Sequence, residues 1–117
     1  MRDVAIVGAN MLKFGRYPDK DVVALGSEAA IGALKDATCS IKDIEIVVSG
    51  NLYQSNAMIG QRIMKEIGAT GVPVINVANA CATGSTAFRE AWMSVASGAY
   101  DTALAIGGLV SDRCADR

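Results

Sequence analysis

Apolar residues along the chain fall into four short runs, separated by longer stretches in which they recur every three or four positions. The runs are Val4-Ala5-Ile6-Val7-Gly8, Ile44-Glu45-Ile46-Val47-Val48, Val72-Pro73-Val74-Ile75-Asn76-Val77 and Thr102-Ala103-Leu104-Ala105-Ile106. Each has the length of an ordinary strand and is rich in β-branched or aliphatic side chains. Most lack polar alternation, which is the pattern of strands covered on both faces in a parallel sheet. Pro73 stands at the start of its run, where a strand tolerates a residue without an N–H.

The stretches between them predict three helices. The first covers residues 22–37 behind Asp21, a residue type that caps helix N-termini. Val22, Gly26, Ala29 and Ala33 share one of its faces and would let it lie close to a neighbour. The second covers residues 57–67 behind Asn56. Ile59, Ile63 and Ile67 recur every four residues, Met64 flanks them, and Gly68 is a natural stop. The third covers residues 82–97, with Ala87, Ala91, Val95 and the Phe88–Trp92 pair forming a broad apolar face, and Gly98 ending it. The order is β-α-β-α-β-α-β. Strand–helix–strand crossovers of this kind build parallel sheets, so the expectation is an α/β layered fold. The 117 residues make one domain, with no repeat or linker and with a frayed tail over residues 109–117.

Composition narrows the function. A hydrophobic fraction of 51% with 20% charged residues excludes a disordered chain. Eleven basic against twelve acidic residues leave a net charge of −1, which is no footprint for nucleic acid. No apolar run is long enough to span a bilayer, so no membrane partner is expected. The first run is too short for a signal-peptide core, which points to the cytoplasm. There is no histidine, so any Cys-His chemistry borrows its imidazole from elsewhere. The three cysteines, Cys39, Cys81 and Cys114, are far apart and suit neither a disulfide framework nor a zinc site.

In parallel α/β sheets, ligands bind beyond the carboxyl ends of the strands. The junction Gly8-Ala9-Asn10-Met11 carries no dinucleotide fingerprint, and the chain has no phosphate-binding P-loop. The junction Gly50-Asn51-Leu52-Tyr53-Gln54-Ser55-Asn56 is polar and suits either a pocket wall or a solvated loop with a helix cap. The third junction is the one with chemistry. It runs Asn76-Val77-Ala78-Asn79-Ala80-Cys81-Ala82-Thr83-Gly84-Ser85-Thr86-Ala87, a strand end, a tight turn, and a cysteine at the opening of a helix. Unpaired N–H groups and the positive end of the helix dipole favour thiolate over thiol at such a position. Thiolate is the nucleophilic form, and the same N–H groups would stabilise an oxyanion on an acyl substrate. Gly84 removes a side chain where a backbone or a thioester must approach. Against this stands the reading of Cys81 as a small buried hydrophobe, as many free cysteines are. Cys39, in the loop after the first helix, and Cys114, in the tail, read as structural or incidental.

That segment resembles the nucleophilic-cysteine segment of the thiolase superfamily, most closely the thiolases related to sterol carrier protein. Asp3-Val4-Ala5-Ile6-Val7-Gly8-Ala9 with Phe14-Gly15-Arg16 is similar to the family's first strand and loop. Ala99-Tyr100-Asp101-Thr102-Ala103-Leu104-Ala105-Ile106-Gly107-Gly108 is similar to the segment that follows the nucleophile helix. The resemblance implies that Cys81 takes an acyl group from a coenzyme A thioester, the substrate, with no covalently bound cofactor. It then hands the acyl group to a carbanion made from a second acyl-CoA, or the reverse cleavage runs. It also implies that this sequence is the front part of the first thiolase-like half, because the family's histidine, its second cysteine motif and the Glu-x-Met after the fourth strand are absent. Base and acid groups would then come from other segments or a partner chain, either a second copy or a complementary thiolase-like chain. Hydroxymethylglutaryl-CoA synthases share Asn79-Ala80-Cys81, and ketoacyl synthases also place a cysteine at this turn. The Thr83-Gly84-Ser85-Thr86 continuation favours the thiolase. A module that binds a partner and carries a vestigial Cys81 is the non-enzymatic alternative.

Overall fold

The computed structural model describes residues 1–108, so the tail over 109–117 and Cys114 lie outside the described residues. The elements in chain order are α1 (Val22–Asp36), β1 (Ile46–Gly50), α2 (Ile59–Ile67), β2 (Val74–Val77), α3 (Thr83–Ala96) and β3 (Ala103–Gly107), with a short 3-10 turn at Ile41–Asp43. The strands form one parallel sheet in the order β2-β1-β3. The expected α/β architecture is present. It holds three strands among the described residues, where the sequence pattern predicts four.

Strand β1 is central and buried along its whole length, which suits its apolar Ile46, Val47 and Val48. Its side chains alternate between two cores. Val47 joins Leu104 and Ile106 of β3 under α1 and α2, with Val22, Val23, Ile59 and Ile63. Val48 faces the other way and packs with Ala87 and Ala91 of α3, beside Val77, Ala103 and Ala105. The period-2 geometry of a strand thus sorts one run of residues onto two helical layers.

The missing strand is the first run, residues 4–8. Strands exist by pairing their backbone N–H and C=O groups with a neighbour, and this segment pairs with no strand among the described residues, although β3 has an open edge. The segment is instead a strap fastened at both ends. The Arg2 N–H donates to Ala96 O, and its guanidinium donates to Val95 O at the last turn of α3 and to Tyr100 O in the loop beyond it, and pairs with Asp101 at 2.8 Å. The Ala9 N–H donates to the Asp36 carboxylate at the end of α1. Between these fastenings Ile6 and Val7 are each 70% exposed.

Helix α1 starts as predicted, with Asp21 accepting from the Ala24 N–H at 2.8 Å. Its core face differs from the expected one and consists of Val22, Val23, Gly26, Ser27, Ala30 and Leu34. The small residues Ala29 and Ala33 turn to the strap, where a Cβ on Gly8 would lie 2.6 Å from Ala33 O. They do allow a close neighbour, but the neighbour is the N-terminal segment. Helix α3 ends as predicted, with Gly98 at φ +83, a left-handed backbone that a glycine adopts without penalty. Its inner face holds Ala87 and Ala91, whereas Phe88 and Trp92 remain 49% and 37% exposed.

The expected start of α2 behind Asn56 is corrected by the structure. The helix begins at Ile59, after Met58 in a left-handed conformation at φ +54. Residues 51–57 are drawn into turns of their own: the Gln54 N–H donates to Asn51 Oδ1, and the Ala57 N–H donates to Gln54 O. The capping acceptor comes from the sheet instead, where Asn76 Oδ1 of β2 takes the Gly60 N–H at 2.8 Å. A helix whose cap is lent by a strand later in the chain leaves no local sign of where it starts.

Candidate active site

Two glycines bring the functional junction onto the sheet. Gly50 and Gly107 close β1 and β3 and are partners in register. Both meet the first turn of α3. A Cβ on Gly50 would lie 2.8 Å from both Cγ2 and the carbonyl oxygen of Thr83, and a Cβ on Gly107 would lie 3.2 Å from Gly84 Cα. The N-terminus of α3 therefore rests on the carboxyl ends of two strands, and the turn joining it to β2 sits beside them. The expectation for Gly84 is refined by this. A Cβ on Gly84 itself would meet no atom of the described residues within 4 Å, so the glycine that permits the backbone approach is Gly107, and Gly84 opens onto free space.

The turn is tight. The Ala82 N–H donates to Asn79 O at 2.9 Å and the Thr83 N–H donates to Ala80 O at 3.2 Å. Ala80 is held at φ +45, a conformation that costs an L-residue of order 1 kcal/mol or more and clusters at functional sites. Cys81 follows this strained residue directly and precedes Ala82, the N-cap of α3. It is an exposed free thiol. No side chain caps the helix, so its leading N–H groups beyond Thr83 stay available in front of the turn. An exposed sulfur at this place does not fit the buried-hydrophobe reading.

Further polar groups of the strand ends are spent on structure. Asn51 is buried; its Nδ2 donates to Gly108 O at 2.9 Å and its Oδ1 holds the loop before α2. Asn76 donates to Gln61 Oε1 while capping α2. The second junction is thus neither a simple solvated loop nor capped by Asn56. Cys39 is half-buried against the α1–α2 core, away from this junction. Thr83 and the Gly50–Gly107 pair escape a reading of the sequence because their roles depend on contacts between segments far apart in the chain. Only the recurrence of Gly at the ends of two apolar runs hints at them.

Gly50→Ala tests the seating of α3 on the sheet. A backbone carbonyl cannot swing aside as a side chain can, so the change should cost about 1–3 kcal/mol, the usual price of overpacking. Chemical denaturation measures it. A loss no larger than that of Gly15→Ala, where a Cβ meets nothing, would show that α3 is not seated as described.

Parallel strands layered between helices, with a cysteine-bearing turn at their carboxyl ends, make this an α/β chain. The fold is shared with a solved tetronic acid condensing enzyme, at a TM-score of 0.75 and 24% identity over 81% of this chain and 32% of that one. The chain belongs to the thiolase family: residues 4–109 match the family described as "Thiolase, N-terminal domain". It is 36% identical over 111 residues to an acetyl-CoA acetyltransferase of Methanothermobacter thermautotrophicus, an alignment covering 92% of this chain. It is 40% identical over 114 residues to sterol carrier protein 2 of Gallus gallus, covering 91% of this chain. The chain spans 29% of the length of the first relative and 20% of the second. Among the described residues, no helix is long and apolar enough to cross a membrane.

Proposed function

We propose that this chain carries the acyl-accepting cysteine of a thiolase-like acyltransferase, with Cys81 as the nucleophile and an acyl-CoA thioester as substrate. The observation that carries the reading is the exposed Cys81 thiol, set by a strained turn in front of the uncapped N-terminus of α3. The thiolate electron pair forms a bond to the thioester carbonyl carbon, whose oxygen becomes an oxyanion facing the leading N–H groups of α3. Collapse of that intermediate breaks the bond to the coenzyme A sulfur, which leaves as a thiolate and takes up a proton. The acyl group then passes from Cys81 to the carbanion of a second acyl-CoA, or the reverse thiolysis runs. The sequence contains no histidine, so an imidazole that moves these protons would belong to another segment or another chain.

The same reading assigns the exposed apolar residues. Phe14 is 88% exposed, and Ile6, Val7, Phe88 and Trp92 are open as well. Apolar surface of this kind is normally covered, and we read it as the contact face for the remainder of a thiolase-like assembly, a second copy or a complementary chain.

The test uses a chimera in which this chain replaces the segment it aligns with in the Methanothermobacter acetyltransferase. After incubation with acetyl-CoA and an acid quench, peptide mapping by mass spectrometry should find one acetyl group, on Cys81. An adduct on Cys39 or Cys114, or none in a chimera that is folded by circular dichroism, would remove the assignment.

A further inference from the structure

We infer that the Thr83 hydroxyl is the positioning group for Cys81, a role that rests on the reading of Cys81 as nucleophile but is measurable apart from it. The Asn79–Ala82 turn holds Ala80 at φ +45, and an alanine gains nothing locally from that conformation. Something must hold it there. Thr83 is buried, and its hydroxyl bonds on both sides of the strained residue. It accepts the Asn79 N–H at 2.8 Å and donates to Ala80 O at 2.7 Å. Its methyl meets the opposite constraint, packed where Gly50 at the end of β1 has no side chain. A single residue thereby ties the central strand to the turn and the turn to the first residue of α3. A second bond, from Asn79 Nδ2 to Thr86 Oγ1 at 3.0 Å, secures the same asparagine one turn further along the helix. Without the hydroxyl, the Asn79 N–H loses its acceptor, and only the backbone bonds of the turn and the Asn79–Thr86 bond are left to hold Ala80 at positive φ. Relaxation of Ala80 swings Cys81 off the start of α3.

The chemistry separates hydroxyl from shape. Thr83→Val keeps the volume and the packing against Gly50 but removes both side-chain hydrogen bonds. Thr83→Ser keeps the hydrogen bonds and removes the methyl. The measurement is the rate of Cys81 alkylation by iodoacetamide in the full chain, followed by peptide mapping, with half-buried Cys39 as the internal reference. The expected result is a Cys81-to-Cys39 rate ratio about tenfold lower in Thr83→Val, the size of effect that two ordinary hydrogen bonds bring, and a ratio close to that of the parent in Thr83→Ser. Equal ratios in all three chains, or a serine variant as slow as the valine variant, would overturn the inference. If Thr83→Val does not fold, the serine variant decides alone, since a purely packing role requires it to lose the ratio. Should the ratios behave as expected while the chimera forms no acetyl-Cys81, the positioning role stands and the acyl-transfer reading falls. An acetyl-Cys81 adduct with invariant ratios would have the reverse meaning.

Discussion

Ile63→Ala is expected to destabilise the fold by about 3–4 kcal/mol, within the range for emptying a fully buried isoleucine site. Ile63 is 1% exposed and lies at the centre of the core shared by α1, α2 and the sheet. Its Cδ1 reaches 2.6 Å from where a Cβ on Gly26 would stand, so it occupies the notch that the glycine leaves in α1. Its neighbours are the Gly26 position of α1 and the buried side chains of the α1–α2–sheet core, which fill the void only in part. The loss is then the transfer free energy of the missing carbons plus the cost of a retained cavity. A domain of this size has about 5–15 kcal/mol in total, so the variant forfeits a large part of its stability. Urea denaturation of parent and variant measures the effect, and Ile75→Ala is the control. Ile75 is 40% exposed on the edge strand β2, and its loss should cost well under half as much. Equal shifts of the two midpoints would mean that Ile63 does not fill the α1–α2 interface.

Cys81→Ala is expected to abolish acetyl transfer in the chimera, lowering turnover by more than about 10⁴-fold, as removal of a covalent nucleophile does. Alanine is smaller than cysteine and the site is exposed, so the fold should be unaffected. Loss of activity without loss of stability would therefore report chemistry. Cys39→Ala supplies the contrast, because it removes a half-buried thiol packed against the core and should cost stability while leaving turnover within a fewfold of the parent. Turnover by Cys81→Ala within tenfold of the parent would mean that acyl transfer does not pass through this residue. Any remaining adduct would then locate the true acceptor.

Much of the architecture is legible in short stretches of sequence. The three strands of the sheet lie within or beside the predicted runs, because a short, mostly aliphatic stretch with little polar alternation has few alternatives to a covered strand. The two-residue shift of β1, from residues 44–48 to Ile46–Gly50, follows the 3-10 turn that holds Ile44 outside the sheet through its N–H bond to Ile41 O. Helix ends marked by their own residues, Asp21, Gly68 and Gly98, stand where the pattern puts them. The strand–turn–cysteine–helix order that singles out Cys81 is equally local.

What the sequence by itself determined is thus the α/β class, the chain positions of the three helices and the three strands, and the cysteine at the head of α3. All of these depend on residues within a few positions of one another. Tertiary structure decided the rest. Residues 4–8 have the composition of a strand, but Arg2 ties one end to the end of α3 and Asp36 ties the other to the end of α1, and the segment pairs with no strand among the described residues. Helix α2 starts at Ile59 because Asn76 lends its acceptor from the sheet. The turn before Cys81 keeps its strained form because Thr83 bridges it and Gly50 makes room for Thr83. A hydrogen bond or a close contact between distant segments leaves no periodic trace in either one, so it becomes visible only when the chain is folded.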